Sequence, residues 1–187
     1  MKKLLIMSLL SASALAAPLS QKIYHYEKYN EAKKAPSQIK FMNASKEFGL
    51  FTHNYDGMAL DFKIQYLVKE KSFTEVKVEI PVTSIDTDNN DRNKKMHTLC
   101  FEAADYPYLT ITFLEPVKMD GSEQSIPAKI NIRGHDKPIT IHIKASETQV
   151  SGTSKMSFKE LDIPDPSIAI ASIKDEINLE FKVNLDQ

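Results

Sequence analysis

The chain has 187 residues, with 24 basic and 25 acidic side chains and a formal net charge of −1. That balance argues against a nucleic-acid binder, which carries a clustered basic excess. A single cysteine, Cys100, rules out any intrachain disulfide, so stability must come from packing.

The first element is an export signal. Lys2 and Lys3 precede an apolar run from Leu4 to Leu10, broken only by Ser8, and small residues follow from Ser11 to Ala17. Secretory signals need about 7–15 apolar residues followed by small side chains at the cut. Ala14-Leu15-Ala16 therefore predicts a signal peptide at 1–16 and a single domain at 17–187. A membrane anchor would need about 20 apolar residues. No cysteine follows for lipidation, and no later run is long and apolar enough to span a bilayer, so a soluble exported protein is expected. Removing Lys2 and Lys3 lowers the 24 basic residues to 22 against 25 acidic ones, which is mildly acidic.

Residues 17–36 are polar and Lys-rich with Tyr24, Tyr26 and Tyr29, and fit either a first edge strand or a tethered arm. From Ser37 onward, apolar residues recur at every second position. Ile39 and Phe41 do so, then Val76, Val78, Ile80 and Val82, then Leu109, Ile111 and Phe113, then Ile139, Ile141 and Ile143. The last run is the longest: Ile177, Leu179, Phe181, Val183 and Leu185. Period-two alternation predicts strands with one face in a core and one in water. Asp56-Gly57, Asp120-Gly121, Gly134 and Ser151-Gly152 are expected to be reversals. One segment differs: Asp88 to Leu99 is polar, then apolar, with Asp88, Asn89, Asn90 and Asp91 as candidate N-caps, and predicts a short helix or helical loop across one end of the sheet.

Closely spaced strands separated by turns predict an all-β antiparallel barrel or sandwich. The chain exceeds the roughly 100 residues of an immunoglobulin-type sandwich, which favours a barrel of about eight strands, its interior either filled or holding one small ligand.

No catalytic constellation emerges. His25, His53, His97, His135 and His142 show no two-histidine metal spacing, and His97 with Cys100 lacks further ligands. His142 reads as an outward strand residue and His135 as a turn residue. Phosphate loops, nucleophile elbows and Cys-x-x-Cys pairs are missing, and Asp86, Asp88 and Asp91 lack the Gly and Glu of a calcium loop. Arg92 near these acids reads as an ion pair holding one end of the barrel. Cys100, between Leu99 and Phe101, reads as a buried small hydrophobe. Neither catalytic residues nor metal ligands are expected.

Several stretches in order carry a resemblance. Ser84-Ile85-Asp86-Thr87 leads into Asn90-Asp91-Arg92-Asn93, then Leu99-Cys100-Phe101-Glu102-Ala103, Tyr106-Pro107 and Thr112-Phe113. Ile130-Asn131-Ile132-Arg133-Gly134 then meets Lys137-Pro138-Ile139. This set resembles the YceI family of periplasmic, lipocalin-like proteins over roughly residues 37–185. The resemblance implies an eight-stranded antiparallel barrel with one short helix packed beside it and a deep apolar cavity. Members are similar to carriers of isoprenoid or fatty-acyl amphiphiles and are often dimeric. It implies cavity-lining roles for Ile39, Phe41, Phe101, Tyr106, Phe113 and Ile132, a bound isoprenoid quinone or fatty-acyl amide, and a periplasmic location with ligand exchange at a membrane. The competing reading is a filled barrel serving as a structural or stress-related envelope module. The chain departs from the family pattern where Pro36 precedes Ser37, where Ser45 stands for a second His, where Asn43 replaces an inward apolar residue, where Arg92-Asn93 stands for Arg-Asp, and where Cys100 stands for the first Phe, a smaller residue that would widen a cavity.

Overall fold

The computed structural model describes residues 19–186, so the expected signal peptide at 1–16 lies outside the described residues. The chain opens with strand β1 (Ser20–His25) and helix α1 (Tyr29–Lys34), followed by β2 (Gln38–Glu47), β3 (Phe51–Ala59), β4 (Asp61–Lys69) and β5 (Ser72–Pro81). Next come β6 (Ile85–Asp86), helix α2 (Asn90–Lys95) running into a π-helical turn at Met96–Cys100, β7 (Tyr108–Phe113) and β8 (Val117–Lys118). The remaining strands are β9 (Gln124–Ile132), β10 (His135–Ala145), β11 (Gln149–Ser157), β12 (Ala171–Ile173) and β13 (Glu176–Asn184). No helix among the described residues is long and apolar enough to cross a membrane.

All thirteen strands belong to one curled antiparallel sheet, along the path β1-β4-β5-β7-β9-β10-β11-β13-β2-β3-β6. The expected count was eight, and the wall does have eight staves. β3 passes through Leu60 straight into β4, so the two form one long bent stave, pairing first with β2 and then with β5. With β2, β5, β7, β9, β10, β11 and β13 this completes the circuit, joined covalently at Leu60 where β3 and β4 do not pair. The other strands are short or appended: β1 lines the free edge of β4, β6 caps β3, β8 extends the pairing of β5, and β12 extends that of β2. The first part of the Tyr-rich segment, through Tyr24, is therefore an edge strand, which covers amide groups that would otherwise invite pairing with another chain.

Alternation sets the wall's polarity. In β10, Ile139, Ile141, Ile143 and Ala145 are buried while Thr140, His142 and Lys144 are exposed. In β9, Ile126, Ala128, Ile130 and Ile132 face the same interior. Two tight hairpins keep the register. Arg133 (φ 50°) and Gly134 (φ 74°) join β9 to β10, and Glu70 (φ 49°) and Lys71 (φ 57°) join β4 to β5. Positive φ at both central residues gives the turn the twist that flanking strands require.

Gly134 and Gly121 lie in turns as expected, but Gly57 and Gly152 do not. Gly57 sits inside β3 opposite Phe41, and Gly152 inside β11 opposite Phe181. The missing side chains make room for the rings across the ladder. A Cβ on Gly57 would lie 2.2 Å from Phe41 Cε1, and one on Gly152 would lie 2.6 Å from Phe181 Cζ.

The expected helical segment forms as α2 and the π-helical turn that continues it to Cys100. Asn89 caps α2 by accepting the Arg92 amide at 2.9 Å, which satisfies one of the orphan donors of the first turn. A further short helix, α1, packs Tyr29 and Ala32 against Met58. On the other side of the split stave, Phe62 is only 2% exposed and stacks on Tyr24 at 4.6 Å between ring centroids. Tyr24 then donates to Asn184 O at 2.8 Å, tying β1 to β13 across the interior. Phe62→Ala is expected to cost about 3–5 kcal/mol in urea unfolding, through lost burial and an unrelaxed cavity; a loss under about 1 kcal/mol would mean that β1 does not hold this side shut.

Candidate functional site

The inward stripes do not fill the interior. Two adjacent cavities occupy it, on either side of a waist formed by Ile39, Ile111 and Leu179, which line both. The first is a cavity of about 60 Å³, and its walls include Ile64, Phe73, Val117, Ile141 and Phe181. The second is a cavity of about 150 Å³ beneath α2 and the π-helical turn. Ligand sites have mainly apolar walls and a few placed polar groups. The first chamber is apolar almost throughout; the second carries a polar strip of Asn43, Tyr55, Thr87, Arg92 and Lys95.

Of the residues expected to line a cavity, Ile39 stands at the waist, Phe113 in the first chamber, and Phe41, Phe101 and Ile132 in the second. Tyr106 is not on either wall. Its ring lies over Gly134, where a Cβ would approach Tyr106 Cε1 to 2.8 Å, so it packs on the β9–β10 turn instead. Period two carried the strand residues inward, whereas Tyr106 precedes β7 and no periodicity governs its direction.

The polar strip is held by local bonds. Asn43 replaces an apolar residue yet is buried and satisfied: its Nδ2 donates to Lys174 O (2.9 Å) and Glu176 O (2.7 Å), and its Oδ1 accepts from Tyr55 Oη at 2.9 Å. Burial pushes the Tyr55 phenol up to about 12, against the opposing pull of Arg92, so it stays a neutral donor. Arg92 does not form the expected ion pair. Its Nε donates to Thr87 Oγ1 at 3.0 Å, and its guanidinium lies 4.6 Å from the Tyr55 ring centroid. Asn93 bonds Thr87 Oγ1 (2.6 Å) and Asp86 (2.7 Å), locking the loop that carries Arg92. The other arginine, Arg133, is compensated by Glu102.

Cys100 is buried in the second chamber's wall, and burial pushes its thiol up to about 11. His97 bonds Ile85 O at 2.8 Å, and His142 points outward to Ser125 at 3.0 Å. Among the described residues, no three His, Cys, Asp or Glu side chains gather as a metal site would require. Sequence reasoning missed Tyr55 and Lys95. Tyr55 lies in a weakly apolar strand, though its spacing of two from Gly57 gives its facing once Gly57 is known to lie within a strand.

Comparison with known proteins agrees with this geometry. The YceI-like domain model matches residues 31–185. Protein YceI of Escherichia coli O6:H1 is 34% identical over 91 residues, 47% of this chain and 47% of that protein, so the match spans about half the relative's length. A UPF0312 protein of Pectobacterium atrosepticum is 30% identical over 145 residues, covering 76% of this chain and 71% of the relative. Among solved structures, BcnA of Burkholderia cenocepacia superposes with a TM-score of 0.63 at 17% identity, covering 83% of this chain and 98% of that one. A polyisoprenoid binding domain from Saccharophagus degradans gives 0.55 at 14% identity, covering 79% and 95%. These likenesses show a shared fold.

Two outcomes test the cavity wall. Gly57→Ala should destabilise the chain by about 1–3 kcal/mol through overpacking, and Phe41→Leu in the same chain should restore most of that, since the nearest clashing atoms belong to the Phe41 ring. Gly152→Ala should not be rescued by Phe181→Leu, because its Cβ would also lie 2.5 Å from His142 O. Separately, Cys100 should react with a neutral thiol reagent about a hundredfold more slowly than a free cysteine near neutral pH, the rate rising with pH as thiolate forms. Equal rates would place the thiol outside the wall.

Proposed function

The chain belongs to the YceI-like family, and from that premise we propose that it holds a long-chain isoprenoid or fatty-acyl amphiphile inside its barrel. The observation that carries this reading is the pair of apolar chambers meeting at Ile39, Ile111 and Leu179. A filled structural barrel would close that space with side chains. Here a largely apolar void of about 150 Å³ remains in the larger chamber. A flexible hydrocarbon tail suits such a lining, because burying each methylene contributes about 0.8 kcal/mol while the apolar walls demand no hydrogen bonds. The polar strip then lies where a head group would rest. The polyisoprenoid-binding description of the Saccharophagus degradans domain supports the same ligand class. An isoprenoid quinone and a fatty-acyl amide both satisfy this chemistry.

The proposed setting is the periplasm, supported by the charged, apolar and small-residue zones at the N-terminus. A carrier there must meet a membrane to load or unload. Phe48, Leu50 and Phe51 at the β2–β3 connection, with Ile168 and Ile170 beside them, are each more than half exposed. Phe48 N donates to Ile170 O at 2.9 Å, which joins the two segments into one apolar tip. The tip lies past the end of the second chamber, where Asn43 on β2 and Ile173 on β12 line the wall.

Gentle purification followed by organic extraction and mass spectrometry should recover one long-chain compound per chain. Protein that is repeatedly empty and takes up neither a quinone nor a fatty amide would contradict the reading. Phe101→Asp should weaken uptake by about tenfold or more by setting a charge against the tail; unchanged affinity in a folded variant would remove Phe101 from the site.

A further inference from the structure

We propose that the larger chamber selects an amphiphile with an anionic head group, phosphate or carboxylate, held by Arg92 and Lys95. This rests on the chamber being a lipid site and adds the charge of what enters it. The charged residues lining that chamber are these two cations, with no carboxylate among them. Neither cation has an acidic partner among the described ion pairs, in contrast to Arg133, which Glu102 compensates.

Both cations have spare donors. Arg92 offers five N–H groups and spends two on Thr87, at 3.0 Å to Oγ1 and 3.4 Å to the carbonyl. Lys95 Nζ donates to Pro166 O, using one of three. Nearby acids are otherwise engaged. Asp86 accepts from Asn93 Nδ2 at 2.7 Å and from the Asp88 amide at 2.9 Å; Asp165 accepts from the Ser167 amide at 2.9 Å and feels the Lys95 charge without forming an ion pair with it. Residue 93, adjacent to Arg92, is a neutral asparagine. Tyr55, under the guanidinium, donates to Asn43 and brings no negative charge.

The energetic consequence follows from burial. Both side chains are partly buried against an apolar wall, where an uncompensated charge is costly and an incoming anion gains more than in water. A neutral quinone or amide could accept a hydrogen bond from either cation but would leave Arg92 without an anionic partner and Lys95 with only the nearby Asp165. Bonds from guanidinium or ammonium to phosphate or carboxylate are about twice as strong as neutral ones.

The test uses four ligands with one tail: oleyl phosphate, oleate, oleamide and oleyl alcohol, titrated calorimetrically into the delipidated full chain. The two anions, or one of them, should bind at least about tenfold more tightly than the neutral pair. Preference for oleyl phosphate assigns a phosphate head, and preference for oleate a carboxylate. Arg92→Gln with Lys95→Gln should abolish the preference, weakening the anions at least about tenfold more than oleamide, and Arg92→Lys should retain it. If the double variant does not fold, Lys95→Gln alone should still lower the anion preference. Equal affinity for all four ligands, or a preference that survives in the folded double variant, overturns the inference and leaves the lipid reading standing. Binding of none of the four overturns both.

Discussion

The interior stays open because its two ladder-facing phenylalanines are laid against glycines. A barrel of this size with large apolar residues at every inward position tends to fill itself. Phe41 and Phe181 instead cross to the neighbouring strand, over Gly57 and Gly152, and lie along the wall. Each ring covers the backbone of a residue that has no side chain to pack. The rest of the cavity depends on this arrangement. Leu179, paired with Phe41, stands at the waist, and Ile39, paired with Phe181, stands beside it.

Much of the wall was legible in the sequence. Strands β2, β5, β7, β10 and β13 follow from alternation alone, since a pleated strand with one wet face cannot hide its period. β4 carries the same signal in Phe62, Ile64 and Tyr66. β11 was illegible because its inward positions include Gly152 and Ser154, small or polar residues that a hydrophobic pattern passes over. Ser154 is nevertheless 1% exposed and satisfied by Thr140 O at 2.7 Å. Gly57 and Gly152 misread as turns for the same reason. A glycine that makes room for a ring across a ladder and a glycine that reverses the chain look alike until the opposite residue is known. The Glu70-Lys71 hairpin shows the converse, a tight turn with no glycine to announce it.

The site was legible in its apolar half. Positions set by strand period, such as Ile39 and Ile132, reach the cavity, while Tyr106, set by a loop, does not. The polar half was hidden by a competing expectation. An arginine in a loop with three aspartates suggests an ion pair, but Asn93 takes Asp86 and leaves Arg92 to Thr87 and the Tyr55 face. That exchange of partners leaves two cations facing an apolar space instead of paired at its rim, and ties the chemistry of the head-group end to the packing of the loop above it.

The central claim is that a tail lies within the barrel, and isotope-edited NMR of the isoleucine methyl groups tests it where it applies. On titration with oleamide and oleate, the methyls of Ile39 and Ile111 at the waist should shift first and furthest, accompanied by Ile64 on one side and Ile132 on the other. Shifts confined to the exposed Ile23, Ile168 and Ile170, with the waist unmoved at saturation, would show that the amphiphile stays on the surface and would contradict the account.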